Sequence, residues 1–145
     1  MPKCRIVTSF GRCPLYDSNA GESIGYSTMM GRIRSPKIVD KPWGREVWYA
    51  HNDLYAGKVL EVTAGHLLSL QLHEVKHETL FLQSGRMLFT RGEDVFEWTP
   101  GETIEIPPGT VHRMEAIEDS VILEVSTPQL DDVVRLEDRY GRTPG

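Results

Sequence analysis

The chain has 145 residues, of which 39% are hydrophobic and 26% charged, and this describes a globular polypeptide with enough apolar material for one core but not for two comfortable domains. A net charge of −5 and a pI near 5.5 argue against a nucleic-acid-binding surface. No apolar run reaches membrane-spanning length and the amino terminus lacks the apolar stretch of a signal peptide, so no membrane partner and a cytoplasmic address are expected.

Residues 1–36 form a first region, poor in patterned apolar residues and rich in Gly, Ser and Arg, with Asp17 and Glu22 as its acids. It reads as an extended N-terminal arm, either a leader or a segment that packs across a second subunit. Sheets with exposed edges are often covered by dimerisation, so a homodimer is expected. Cys4 and Cys13 both lie in this arm and are read as free thiols.

Residues 37–145 are expected to form a single all-β domain. Arg45 to Ala50 and Tyr55 to Thr63 are β-branched and aromatic, and are bounded by His51-Asn52-Asp53 and Ala64-Gly65. Further strands are predicted at Leu67 to Leu72, Thr79 to Gln83, Arg86 to Thr90, Val95 to Trp98, Thr103 to Ile106, His112 to Ala116 and Val121 to Ser126. Turn residues separate them, among them Ser84-Gly85, Pro100-Gly101 and Pro107-Pro108-Gly109. Short strands at regular spacing without a sustained helical period predict a jelly-roll barrel. Leu130 to Leu136 reads as a short C-terminal helical turn.

Gly65 to Gly85 and Gly101 to Glu115 concentrate metal-ligating side chains. Gln71 and His73 are two positions apart, so in an extended strand they face the same way and can reach one ion. Glu78 is an odd number of positions beyond His73, so the chain must turn or bulge through Glu74 to His77 before that carboxylate can join them. The Pro107-Pro108-Gly109 turn then presents His112. One amide oxygen, one carboxylate and two imidazoles form a mixed N/O set without thiolate, suited to Zn first and to Mn, Fe, Ni or Co as the other candidates.

These residues resemble the cupin superfamily. Gly65, His73, Glu78 and Gly85 are similar to its first motif, and Gly101, Pro107, Gly109 and His112 to its second, with Gln71 replacing a histidine and Glu115 an asparagine. Leu68-Ser69-Leu70-Gln71-Leu72-His73, followed by Glu78, most resembles the cupin domain of type II mannose-6-phosphate isomerases; Lys41-Pro42-Trp43-Gly44 and Ser126-Thr127-Pro128 extend the likeness. The resemblance implies a cupin double-stranded β-helix over 37–145 and a divalent metal ion held by Gln71, His73, Glu78 and His112. It also implies a sugar or sugar-phosphate isomerase or epimerase acting on a small-molecule substrate.

Lys76, Lys58 and Arg113 are the candidate catalytic residues, Lys76 because the resembling enzymes carry a basic residue after the histidine cluster. An exposed lysine in a charged turn is its structural alternative. Two other functions stay open: a metal-dependent oxygenase or other cupin enzyme on a small polar metabolite, and a non-catalytic sugar-binding cupin.

Overall fold

The computed structural model describes residues 34–143. All but the last three residues of the expected arm, together with Cys4 and Cys13, lie outside this range. Eleven strands form among the described residues, and no helix. They are β1 (Lys37–Lys41), β2 (Gly44–His51), β3 (Ala56–Val62), β4 (Leu70–Leu72), β5 (Glu78–Ser84), β6 (Met87–Arg91), β7 (Asp94–Trp98), β8 (Thr103–Ile106), β9 (His112–Ala116), β10 (Ser120–Ser126) and β11 (Val134–Glu137).

They pair into two antiparallel sheets, ordered β1-β2-β3-β10-β5-β8 and β11-β4-β9-β6-β7. From β3 onward the chain alternates between the sheets, interrupted only by the β6–β7 hairpin, and this winding makes the jelly roll. Alternate residues of each strand therefore meet in the space between the sheets. Eight of the nine expected strands form close to their expected bounds, while the one expected over Leu67 to Leu72 is confined to Leu70–Leu72, with Leu67 making only an isolated bridge to Glu115.

The C-terminal expectation is corrected. Val134, Arg135 and Glu137 are strand residues paired with Leu72, Gln71 and Leu70 of β4, and no helical turn forms there. The acidic-apolar alternation of Leu130 to Leu136 can be read with either period, and pairing with a distant edge strand decides it, a tertiary contact that outweighs local pattern. β1, which had no predicted counterpart, pairs with β2 from Lys37↔Trp48 to Lys41↔Gly44.

The interior has two unlike ends. At one end Leu60, Ile122 and Leu82 stand opposite one another across β3, β10 and β5, and all are buried. The second sheet closes on them with Met87, Phe89, Trp98 and Met114, also buried. Further along the same inward-facing rows the side chains become polar: two residues on, Lys58 lies opposite Glu124, and four residues on, Ser126 lies opposite Glu78. All four are buried. The apolar end carries the hydrophobic stabilisation, and the charged end is placed by it. Ile122→Ala, at a position with 0% exposure, is expected to lower the unfolding free energy by about 2–5 kcal/mol in denaturant titration.

Candidate metal centre

His73 follows the last residue of β4, Glu78 opens β5, and His112 opens β9. The three side chains are buried, and their ligand atoms lie within 4.8 Å of one another. His73 Nε2 and His112 Nε2 each stand 3.4 Å from Glu78 Oε1. The rings have centroids 5.3 Å apart and are tilted by 46°, and Phe89 stacks on His112 from the apolar end.

The opposite ring nitrogens fix what Nε2 can be. His73 Nδ1 is bonded to the Asp132 carbonyl and His112 Nδ1 to the Thr110 carbonyl at 2.9 Å. A carbonyl oxygen only accepts, so each Nδ1 carries the proton, and in a neutral ring the Nε2 lone pair faces inward. Both Nε2 atoms are buried without a hydrogen-bond partner. A separation of 3.4 Å is long for a charge-assisted hydrogen bond, ~2.7–2.9 Å. It matches ligands ~2.1 Å from a common ion, which stand ~3.0–3.4 Å apart at angles of ~90–110°. The donor set thus fits a divalent cation.

The backbone holds this geometry in place. Gly109, at φ 79°, donates its N–H to the His73 carbonyl at 2.7 Å, joining the two motif turns. The Asp132 carboxylate accepts the N–H groups of Glu74 (3.0 Å), Val75 (2.7 Å) and Lys76 (2.7 Å), gathering the turn between His73 and Glu78. Those bonds, from Lys76 and Val75 first, hold the Asp132 carboxyl below its ordinary pKa. Burial alone would push the Glu78 carboxyl up, and the Lys76 ammonium bonded to it opposes that and favours the ionised form.

Gln71 stands directly across the β4–β9 pair from His112 and so shares its face. Its Oε1 accepts from Ser69 Oγ at 2.7 Å, which leaves a second lone pair on that oxygen. Lys76 is buried, with Nζ bonded to Glu78 Oε2 and 2.8 Å from Glu124 Oε1. Desolvation alone would lower its pKa; Glu124 and Glu78 outweigh that and raise it. Lys58 also points inward, 3.4 Å from Glu124 and 3.9 Å from Glu46.

Arg113 is not brought to the cluster. It is one step from His112 on β9, hence on the other face, and pairs with exposed Glu137 at 2.8 Å. His77 also turns away, to Glu105 at 2.9 Å. Sequence reading missed Asp132, Glu124 and Glu46. Their sole signal was an acidic residue in a β-rich context, and each acquires its role only through partners distant in sequence.

The cluster opens on a cavity of about 330 Å³ walled by Trp43, Trp48, Leu68, Ser69, Gln71 and the Lys58–Glu124–Lys76 row. That volume lies at the lower end of small-molecule sites, ~300–1,000 Å³.

Residues 32–138 match the family model described as Mannose-6-phosphate isomerase C-terminal. The chain belongs to that family. The xanthan biosynthesis protein XanB of Xanthomonas campestris is 33% identical over 131 residues, covering 79% of this chain and 27% of XanB. Mannose-1-phosphate guanylyltransferase of Escherichia coli is 32% identical over 114 residues, 75% of this chain and 24% of the enzyme. The chain thus spans about a quarter of the length of these relatives. An RmlC-like cupin of Shewanella frigidimarina superposes with a TM-score of 0.60 at 13% identity, covering 67% of this chain and 87% of that one. The fold is therefore that of a cupin, as the resemblance implied.

Asp132→Ala is expected to release the turn at Glu74 to Lys76 and weaken Zn or Mn binding about 10–100-fold, read by competition with a chelator. The pH response follows from the sign of the carboxyl shifts. A carboxyl with a depressed folded pKa adds stability that is complete above its unfolded value, ~4, and lost as pH falls through the folded one. The melting temperature of the metal-free protein is expected to hold down to about pH 5 and drop below about pH 4, less steeply in Asp132→Asn.

Proposed function

We propose that this cupin domain is a metal-dependent isomerase of a sugar phosphate, interconverting an aldose and a ketose form in the manner suggested by its family. The observation that carries this reading is the pair of buried, unpartnered Nε2 atoms converging on Glu78 beside a polar cavity. His73, Glu78, His112 and Gln71 are the residues that would hold the ion. A divalent ion bound there supplies Lewis acidity toward vicinal carbonyl and hydroxyl oxygens.

The remaining groups have distinct parts. Glu78 is the single anionic side chain of the four, so the bound centre keeps net positive charge. Lys76 Nζ, on the cavity wall, donates N–H to the substrate oxygen that gains charge as a proton moves between adjacent carbons. Lys58 reaches the site through Glu124, the carboxylate it shares with Lys76, and is a positioning residue. Trp43, Trp48 and Leu68 limit access of water from the cavity walls.

Conversion of mannose 6-phosphate to fructose 6-phosphate by the metal-loaded protein tests the reading. Turnover is expected to fall about 10²–10⁴-fold in His73→Ala and Lys76→Met and less in Lys58→Gln, while Arg113→Gln leaves it unchanged. A fully metal-loaded protein without turnover would remove the isomerase and favour a binding cupin. Absence of metal uptake would remove the centre itself.

A further inference from the structure

The cavity beside the metal centre is lined by six basic side chains, Lys37, Lys41, Lys58, Lys76, Arg135 and Arg142, against four acidic ones. In a chain of net charge −5 this is a local reversal of sign. Four of the six are answered within the molecule. Lys76 is held by Glu78 and Glu124, Lys58 by Glu124, Lys41 by Glu46 at 3.5 Å, and Arg142 by Asp138. Lys37 is exposed and lies over the Trp48 ring at 4.5 Å.

Arg135 differs from all of these. Its Nε is buried and has no hydrogen-bond partner among the described residues, and none of the ion pairs there includes it. A guanidinium N–H withdrawn from water without an acceptor is an unfavourable arrangement that an incoming anion relieves.

Strand register says where that anion would lie. Arg135 on β11 stands directly opposite Gln71 on β4, and Gln71 directly opposite His112 on β9, so the three share one face of the second sheet. Two strand spacings put the Arg135 and His112 backbones ~10 Å apart, and Arg135 lines the cavity on which the cluster opens. This matches a ligand whose reacting carbons and anionic group are at opposite ends of a short chain.

We infer that Arg135 is the anion anchor of the cavity, binding the phosphoryl group of a sugar phosphate whose carbonyl end faces His73, Glu78 and His112. The inference rests on the isomerase reading for the sugar, but not for the anion. A guanidinium offers two parallel N–H donors that fit two phosphoryl oxygens, a match a lysine ammonium lacks. An unphosphorylated sugar would leave Nε unanswered, so discrimination for the phosphate ester follows from the same group.

Calorimetry on the full, metal-loaded chain tests this, with inorganic phosphate, mannose 6-phosphate and mannose as ligands. Wild type is expected to bind phosphate and mannose 6-phosphate. Arg135→Gln should weaken both about tenfold or more, with metal content, melting temperature and mannose binding unchanged. Arg135→Lys, which keeps the charge but not the fork, should show a smaller loss confined to the phosphorylated ligands, and it decides the matter if Arg135→Gln does not fold.

No phosphate binding by wild type, unchanged affinity in the variants, or an equal loss of mannose would each overturn the assignment. The two readings fail separately. Phosphate binding through Arg135 without turnover removes the isomerase and leaves the anchor; turnover with an unchanged KM for mannose 6-phosphate in Arg135→Gln removes the anchor and leaves the isomerase.

Discussion

Each imidazole at the centre of this molecule gives its Nδ1 proton to a backbone carbonyl, Asp132 for His73 and Thr110 for His112, and a carbonyl can only accept. In their neutral form the rings then aim two lone pairs at a carboxylate, with both nitrogens buried and without a hydrogen-bond partner. Three acceptors facing one another without a proton between them repel, and burial sharpens the repulsion because it removes solvent screening. A divalent cation turns that conflict into attraction. The two carbonyl contacts therefore matter as much as the ligands themselves. Rotating either ring away from its carbonyl would turn an N–H toward the centre and remove one of the lone pairs that a cation would use.

The surrounding charges follow from the same economy of the interior. Lys58, Lys76, Glu46, Glu78 and Glu124 are all at most 9% exposed, and isolated charges at such depth would be strongly unfavourable. They tolerate burial because they alternate in sign along a row, Glu46 with Lys58, Lys58 with Glu124, Glu124 with Lys76, Lys76 with Glu78. Trp48 Nε1 closes the far end of the row on Glu46 at 2.7 Å. Apolar packing of equal volume could hold this space with less desolvation, so stability alone does not explain such a row. It does explain how a cavity wall remains polar and fixed in position next to the metal ligands.

Much of this was legible in the sequence, and the limits have physical causes. Strand alternation and turn residues are local signals, and they located nine strands and the jelly-roll class. Motif spacing located His73, Glu78 and His112, because strand alternation pairs Gln71 with His73 and the turns at Glu74 to His77 and Pro107 to Gly109 are marked in the sequence. Lys76 was harder. In a turn written His-Glu-Val-Lys-His, a lysine looks solvated, and its burial becomes tolerable only when Glu78 is joined by Glu124, far along the chain on β10. Arg113, beside His112 in sequence, went the other way for the reason that made His112 readable: adjacent strand residues face opposite sides. The segment at Leu130 to Leu136 was misread as helical because its partner strand, β4, is three residues long and lies distant in sequence.

That misread segment turns out to bind the site together. Asp132 supplies the acceptor for His73 and gathers the turn that carries Lys76, and Arg135 stands beside Gln71 with an unanswered donor. A helix over the same residues would have presented its side chains at a different period and could not have set Arg135 opposite Gln71 while Asp132 reached the turn. Pairing with a three-residue strand is weak by itself, since few backbone hydrogen bonds are gained. What keeps β11 in place is the set of bonds just before it, the three N–H groups on the Asp132 carboxylate and the His73 ring on its carbonyl. The segment and the centre thus depend on each other: the C-terminal strand orients a ligand, and the ligand's ring anchors the strand.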